Sequence, residues 1–165
     1  MEMGFTLSSR LQAPAEDVWH HLQSPGLMQH VAAPLLEFRA LPGSPLPDPW
    51  IEGDFQVSLR LFGVLPLGRQ TVGIRLLEAA DWPRRVLDDG HSPLIRSWKH
   101  WIELNPAGPG ETDYADRIGI SAGLLTPFIW LFARLLFAHR QRRLRLLAQA
   151  GFAPLRGWGA STDLS

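Results

Sequence analysis

The sequence predicts an α+β fold, a strongly curved antiparallel sheet with two short helices and one long C-terminal helix across its concave face. Three observations predict it. Alternating apolar and polar runs follow one another between residues 54 and 122, separated by turn residues. An apolar stripe at helical spacing fills residues 126–150 and stops at Gly151. One more alternating run, residues 5–12, precedes two short helical segments. Strands joined by short local turns pair antiparallel, and their twist curves the sheet. A helix with a long apolar stripe must bury it against that sheet.

The elements follow in order. Residues 5–12 place Phe5, Leu7, Ser9 and Leu11 on one side of a first strand. Ala13-Pro14-Ala15-Glu16-Asp17-Val18-Trp19 opens a helix, with proline in its first turn and acids where the helix dipole favours them. Ser24-Pro25-Gly26 interrupts it, and residues 27–31 form a second short helix. Residues 35–41 are a short strand. Residues 41–49 hold four prolines and form a surface loop, since each proline removes a ladder donor. Three alternating runs follow at 54–62, 69–78 and 84–89, the last shorter and more polar. Residues 63–68 join the first two, and Asp81-Trp82-Pro83 marks the next turn. In the long helix, Ile129, Trp130, Ala133, Leu136, Phe137, Leu144, Leu147 and Ala148 share one stripe, with Arg140 inside it. Leu124, Phe128, Leu131, Leu135 and Leu146 lie on the opposite face, so the first half of this helix is apolar nearly all round. The whole chain, 1–165, reads as one domain with a loose tail from residue 152.

The last two strands carry the clearest chemical signal. Residues 94–104 and 112–122 alternate, and residues 105–111 between them form a strong turn. A hairpin centred on Gly108 sets Trp98 against Ile118, Ile102 against Tyr114 and His100 against Asp116. An imidazole and a carboxylate then meet on the apolar side, roughly 5 Å apart at Cβ if directly opposed and 7–8 Å if diagonal. Buried groups of this kind must pair or serve a ligand.

These motifs also carry a resemblance. The Ala13–Trp19 segment resembles the "aP.e.VW" opening of the START-like helix-grip superfamily, also called SRPBCC, which includes lipid-transfer domains, polyketide cyclases and plant pollen allergens. Arg84-Arg85-Val86-Leu87-Asp88-Asp89 followed by Trp98-Lys99-His100 is similar to the "pR.f.D" and "W.H" of a bacterial subgroup of unassigned function. Asp116 after Tyr114 resembles that subgroup's strand aspartate. Ile102 stands where the subgroup often has a second histidine. The resemblance covers residues 5–150. It implies a seven-stranded antiparallel sheet gripping the last helix, with a cavity between them. It implies no single activity, since the superfamily hosts binders, carriers and enzymes.

The expected function is to bind or carry a small hydrophobic molecule, such as a lipid, an isoprenoid or a polyketide-like aromatic. The expected lining is Phe55, Val57, Leu59, Val72, Ile74, Trp98, His100, Ile102, Tyr114, Asp116 and Ile118 from the sheet, with Ile129, Ala133, Phe137 and Arg140 from the helix. Arg140 anchors an acidic ligand headgroup, pairs with Asp116 or snorkels to solvent. A second class is an enzyme of cyclase or dehydratase type, with His100 as base and Asp116 as its orienting partner. A third is an interaction protein whose outward helix face makes a homodimer or rests on a membrane surface.

Composition narrows the remaining classes. The charges cancel, 16 against 16, so no basic field points to nucleic acid. The chain has no cysteine, so disulfides, a thiolate nucleophile and cysteine metal sites are excluded. No cofactor is expected, since phosphate loops and nucleophile elbows are missing. No metal is expected either: His20 and His21 diverge on a helix, and His91 and His100 lie on different strands. The N-terminus has no basic segment followed by an apolar run, and no stretch reaches the roughly 18 apolar residues of a spanning helix. A cytoplasmic protein is the expectation.

Overall fold

A computed structural model describes residues 1–77 and 80–156; of Leu77 it describes the backbone. Seven antiparallel strands form one sheet in the order β1-β7-β6-β5-β4-β3-β2. In chain order these are β1 (Met3–Leu11), α1 (Ala15–Leu22), α2 (Pro25–Ala32), β2 (Leu36–Ala40), β3 (Gly53–Leu61), β4 (Leu65–Leu77), β5 (Arg84–Gly90), β6 (Ser97–Gly108), β7 (Glu111–Ser121) and α3 (Thr126–Gln149). This is the predicted curved sheet with a long closing helix. Among the described residues no helix is long and apolar enough to cross a membrane.

Local chemistry sets the boundaries. Pro14 is the N-cap of α1, with Glu16 and Asp17 in its first turn. Ser24 caps α2 by accepting from the Gly26 amide at 3.2 Å, and Pro25 fills the first turn. The helix therefore starts two residues before the expected Leu27. Arg84, at the start of β5, forks onto Glu16 of α1 at 2.8 and 2.9 Å and stacks over Trp82. That clamp fixes the short helices against one end of the sheet.

Two turns are tighter than the sequence suggests. Instead of a six-residue loop, β3 and β4 meet at a turn in which the Val64 amide bonds to the Leu61 carbonyl at 3.1 Å. Phe62 and Gly63 both have positive φ there. Register shifts after Leu59, which faces Gly68 while Arg60 faces Pro66. Leu67 is the extra residue of this bulge, and Pro66 is tolerated beside it. The strand expected to end at Glu78 runs to the edge of the described residues.

The β6–β7 hairpin turns at Pro109 and Gly110, not at Gly108, because β6 continues through Pro106 to Gly108. A bulge lies between Pro106 and Gly108. His100 is therefore opposite Ile118, Ile102 opposite Asp116, and Trp98 opposite Ile120. Direct pairing of His100 with Asp116 is thus corrected to the diagonal one. The displacement is two residues, so every side chain keeps its face.

The helix α3 packs chiefly on β1, then on α2, and less extensively on β7. Trp130 Nε1 donates to the Gly4 carbonyl at 3.1 Å, and Ala133 and Phe137 bury against Phe5, Ile118 and Ile120. Its other flank is tied to the end of α2, where the His139 imidazole meets the Ala33 carbonyl at 2.8 Å. Farther along, Leu144, Leu147 and Ala148 join Leu11, Val18, Leu22, Leu104 and Phe152 in a closed core. Phe152 is only 2% exposed and Ala153–Leu155 form a 3-10 turn, so the expected loose tail does not begin at residue 152. Residues 157–165, with Gly157-Trp158-Gly159, lie outside the described residues.

Candidate functional site

Because α3 leans on the β1–β7 side, the curved sheet pulls away from it over β2 to β6. The space left there is a cavity of about 380 Å³, within the size range of small-molecule sites. Eight expected lining residues border it: Leu59, Val72, Ile74, Trp98, His100, Ile102, Ile129 and Arg140. Seven do not. Val57 and Phe55 pack into the cluster around Trp50 and Leu136. Ile118, Ala133 and Phe137 fill the contact between α3 and β7. Tyr114 belongs to the closed core, and Asp116 sits behind His100. For the residues of β7 and the facing side of α3 the cause is the position of α3, which covers the inward face of β7; Phe55 and Val57 are taken up instead by the cluster around Trp50.

Sequence reasoning missed other walls. Leu22, Leu27 and Met28 close the cavity from the short helices, and Leu36 and Phe38 from β2. Trp50, from the proline-rich loop, is 6% exposed and also lines it. Phe132 and Leu136 come from α3. Leu67, Leu94 and Phe128 line the cavity while remaining exposed, and so mark where it opens. The outward residues Leu124, Leu131 and Leu135 beside Phe128 are also exposed.

Polar groups meet on the wall made by β5, β6, β7 and α3. His100 Nε2 lies 2.6 Å from Asp116 Oδ1, with the two residues 4% and 1% exposed. The Tyr114 hydroxyl donates to the same oxygen at 2.8 Å. Gln141 Nε2 donates to the other oxygen at 2.9 Å and to the Leu7 carbonyl at 2.9 Å, while its Oε1 accepts from the Ser9 hydroxyl at 2.6 Å. Asp116 is thus a fully hydrogen-bonded buried carboxylate. Gln141 was not foreseen; it stands among Arg140, Arg142 and Arg143, where a polar run reads as solvated.

Burial pushes the His100 imidazole below its ordinary pKa, against the opposing effect of its hydrogen bond to Asp116 and that group's charge. Burial alone would raise Asp116, but the His100 and Gln141 hydrogen bonds and the charge of Arg140 hold it below its ordinary value. The consistent state at neutral pH is a neutral imidazole donating Nε2–H to an ionised Asp116. Nδ1 is then the acceptor, on a ring that lines the cavity and meets Phe137 in a T-shaped contact. Tyr114 stays a neutral phenol, pushed well up by burial.

Asp88 is the second unforeseen group. It is the cross-strand partner of His100 on β5 and lines the cavity. Its Oδ1 accepts from the Gly73 amide at 2.9 Å, where the β4–β5 ladder is interrupted. Gly73 has no room for a side chain, since a Cβ would lie 2.3 Å from the Asp89 carbonyl oxygen. Burial pushes the Asp88 carboxyl up to about 7. The residue is half-buried and borders the cavity. The alternation of Val86, Asp88 and Gly90 was the available signal.

Arg140 lines the cavity with its guanidinium 4.7 Å from the centre of the Phe137 ring. It does not snorkel away, and it forms no ion pair among the described residues.

Comparison with known proteins agrees with this architecture. A family model described as "Domain of unknown function (DUF8410)" matches residues 9–147. The chain belongs to that family. No curated protein matches it. Among solved structures, a START superfamily protein from Mycobacterium smegmatis superposes with TM-score 0.62 at 12% identity, covering 89% of this chain and 97% of that one. A protein from Chromobacterium violaceum gives 0.63 at 18% identity, covering 88% and 96%. Norcoclaurine synthase from Thalictrum flavum, in complex with dopamine and hydroxybenzaldehyde, gives 0.59 at 13% identity, covering 91% and 88%. The fold is therefore the START-like helix-grip fold; identities this low carry the fold alone.

Proposed function

We propose that this protein binds or carries a small, mainly apolar molecule in the cavity between the sheet and α3. The observation that carries the reading is the cavity itself: apolar walls from β2–β6, the short helices and α3, with a few converging polar groups. A wall built only for stability would close over Leu59, Val72 and Ile74, because unfilled space forfeits packing energy. The likeness to a protein that holds dopamine and hydroxybenzaldehyde supports small aromatic molecules as one ligand class. Native mass spectrometry of protein purified from its own host tests this. A small-molecule adduct released by denaturation is the expected result. A bare chain that also fails to take up apolar probes contradicts it.

The His100–Asp116 geometry favours a second reading, an enzyme of cyclase or dehydratase type. The 2.6 Å contact fixes the tautomer, and the ring lines the cavity, as a general base requires. His100→Ala would then abolish turnover and retain product binding; unchanged turnover leaves the binding reading alone. The exposed apolar face beside the cavity mouth supports contact with a membrane surface or a second copy as a subordinate reading. Liposome flotation and sedimentation velocity test those two.

A further inference from the structure

Arg140 is a guanidinium on an apolar cavity wall with no ion-pair partner among the described residues. Asp116, the ionised group nearby, already receives three side-chain hydrogen bonds. Asp88 faces the same space with one oxygen bonded to Gly73. Gln70, 8% exposed, lines the cavity too. Phe128 at the mouth and Arg140 share one helix. They are twelve residues apart, or about 18 Å at 1.5 Å per residue. The space between is bordered by Ile129, Phe132 and Leu136.

We infer that the ligand is a carboxylic acid with an extended apolar body, bound with its carboxylate on Arg140 deep in the cavity and its tail toward Phe128. This rests on the cavity-binding reading and specifies its ligand class. A cation facing an apolar space is costly without a counter-charge, and a guanidinium matches a carboxylate in a planar two-pronged contact. One cation flanked by Asp88 and Asp116 suits a monoanion and repels a dianionic phosphate.

The arrangement also sets a proton requirement. Arg140 from α3, His100 from β6 and Arg69 from β4 border the same cavity as Asp88, and Asp89 on β5 and Arg75 on β4 act on it through their charge. Ionised, Asp88 competes with the ligand for Arg140 and repels its carboxylate. Protonated, it leaves Arg140 free and offers a donor. Its carboxyl titrates at about 7, so the acid ligand binds with uptake of a proton as pH falls from 8 to 6. A free carboxyl near 4–5 stays ionised in solution throughout that window.

The test uses the neutral fluorescent probe N-phenyl-1-naphthylamine, displaced by decanoate or by decan-1-ol. Decanoate should displace it at about tenfold lower concentration or less at pH 6.5, the scale of one charge-assisted hydrogen bond. Arg140→Gln should remove that ratio, and Arg140→Lys should keep part of it. Decanoate affinity should rise several-fold from pH 8 to 6 in the wild type and stay flat in Asp88→Asn. Equal displacement by acid and alcohol in the wild type, or a preference that survives Arg140→Gln, overturns the carboxylate site. A pH slope that is missing, or that persists in Asp88→Asn, overturns the role of Asp88. Failure of probe, acid and alcohol alike to bind overturns the cavity reading itself.

Discussion

Replacing Asp88 by Asn should stabilise the protein at alkaline pH, against the usual expectation for a buried substitution. The folded carboxyl titrates at about 7 against an ordinary 3.8. Between those values the folded chain holds a proton that the unfolded chain has released. Stability therefore falls as pH rises from 3.8 to 7 and stays lowered above. At 1.36 kcal/mol per pH unit the ceiling is about 4 kcal/mol, and solvent screening of a half-buried residue reduces it to roughly 2–3 kcal/mol. Asn keeps an oxygen that can accept from the Gly73 amide, so the ladder interruption stays bridged and the charge alone is removed. Urea unfolding of wild type and Asp88→Asn at pH 5 and pH 8.5 measures the difference. The variant should gain roughly 2–3 kcal/mol at pH 8.5 and much less at pH 5. His100, depressed in the fold, contributes an opposite slope below its unfolded pKa, but it is common to both proteins and cancels. A variant no more stable than wild type at pH 8.5 refutes the argument that Asp88 is a desolvated acid.

Other outcomes follow from the same geometry. Asp116→Asn should change the NMR titration of His100, because the carboxylate opposes the effect of its burial; an unchanged titration means the imidazole and the carboxylate are uncoupled. Gln141→Leu removes the donor to Asp116 Oδ2 and Leu7 O, and should cost about 1–3 kcal/mol in urea unfolding; a neutral effect would show that water replaces it. Phe62, 61% exposed, holds φ 52° in the β3–β4 turn before Gly63. Phe62→Asn should raise Tm, by the equivalent of about 1 kcal/mol, since Asn-Gly suits a turn with two positive φ angles; a lower Tm would mean that the Phe62 ring contributes contacts that outweigh the strain.

Much of the fold was legible because period-two alternation and proline or glycine turns act locally. Phe5, Val57, Val72 and Ile118 face inward as their runs predict. The register of β6 and β7 was missed by two residues, because Pro106 was read as turn while a bulge lets the strand carry it. The face survived that error, so His100 and Asp116 were still brought together. The cavity was legible only in part. Its position depends on how far α3 leans toward β1, and side-chain volumes across the whole sheet decide that. Asp88 was hidden in a short polar run and Gln141 among arginines. Each looked solvated in one dimension and is part of the site in three. Trp50 followed a proline-rich loop, where no periodicity reports burial.

The most direct test of the central claim is a titration of the purified chain with N-phenyl-1-naphthylamine, alongside a cavity-filling variant, Ile74→Trp, shown to be folded by circular dichroism. Ile74 lies on the cavity wall opposite Asp88 in the β4–β5 ladder. Saturable, one-to-one, blue-shifted fluorescence in the wild type, lost or strongly weakened in the variant, is the predicted result. No saturable binding in the wild type, or equal binding in Ile74→Trp, would contradict a ligand site between the sheet and α3.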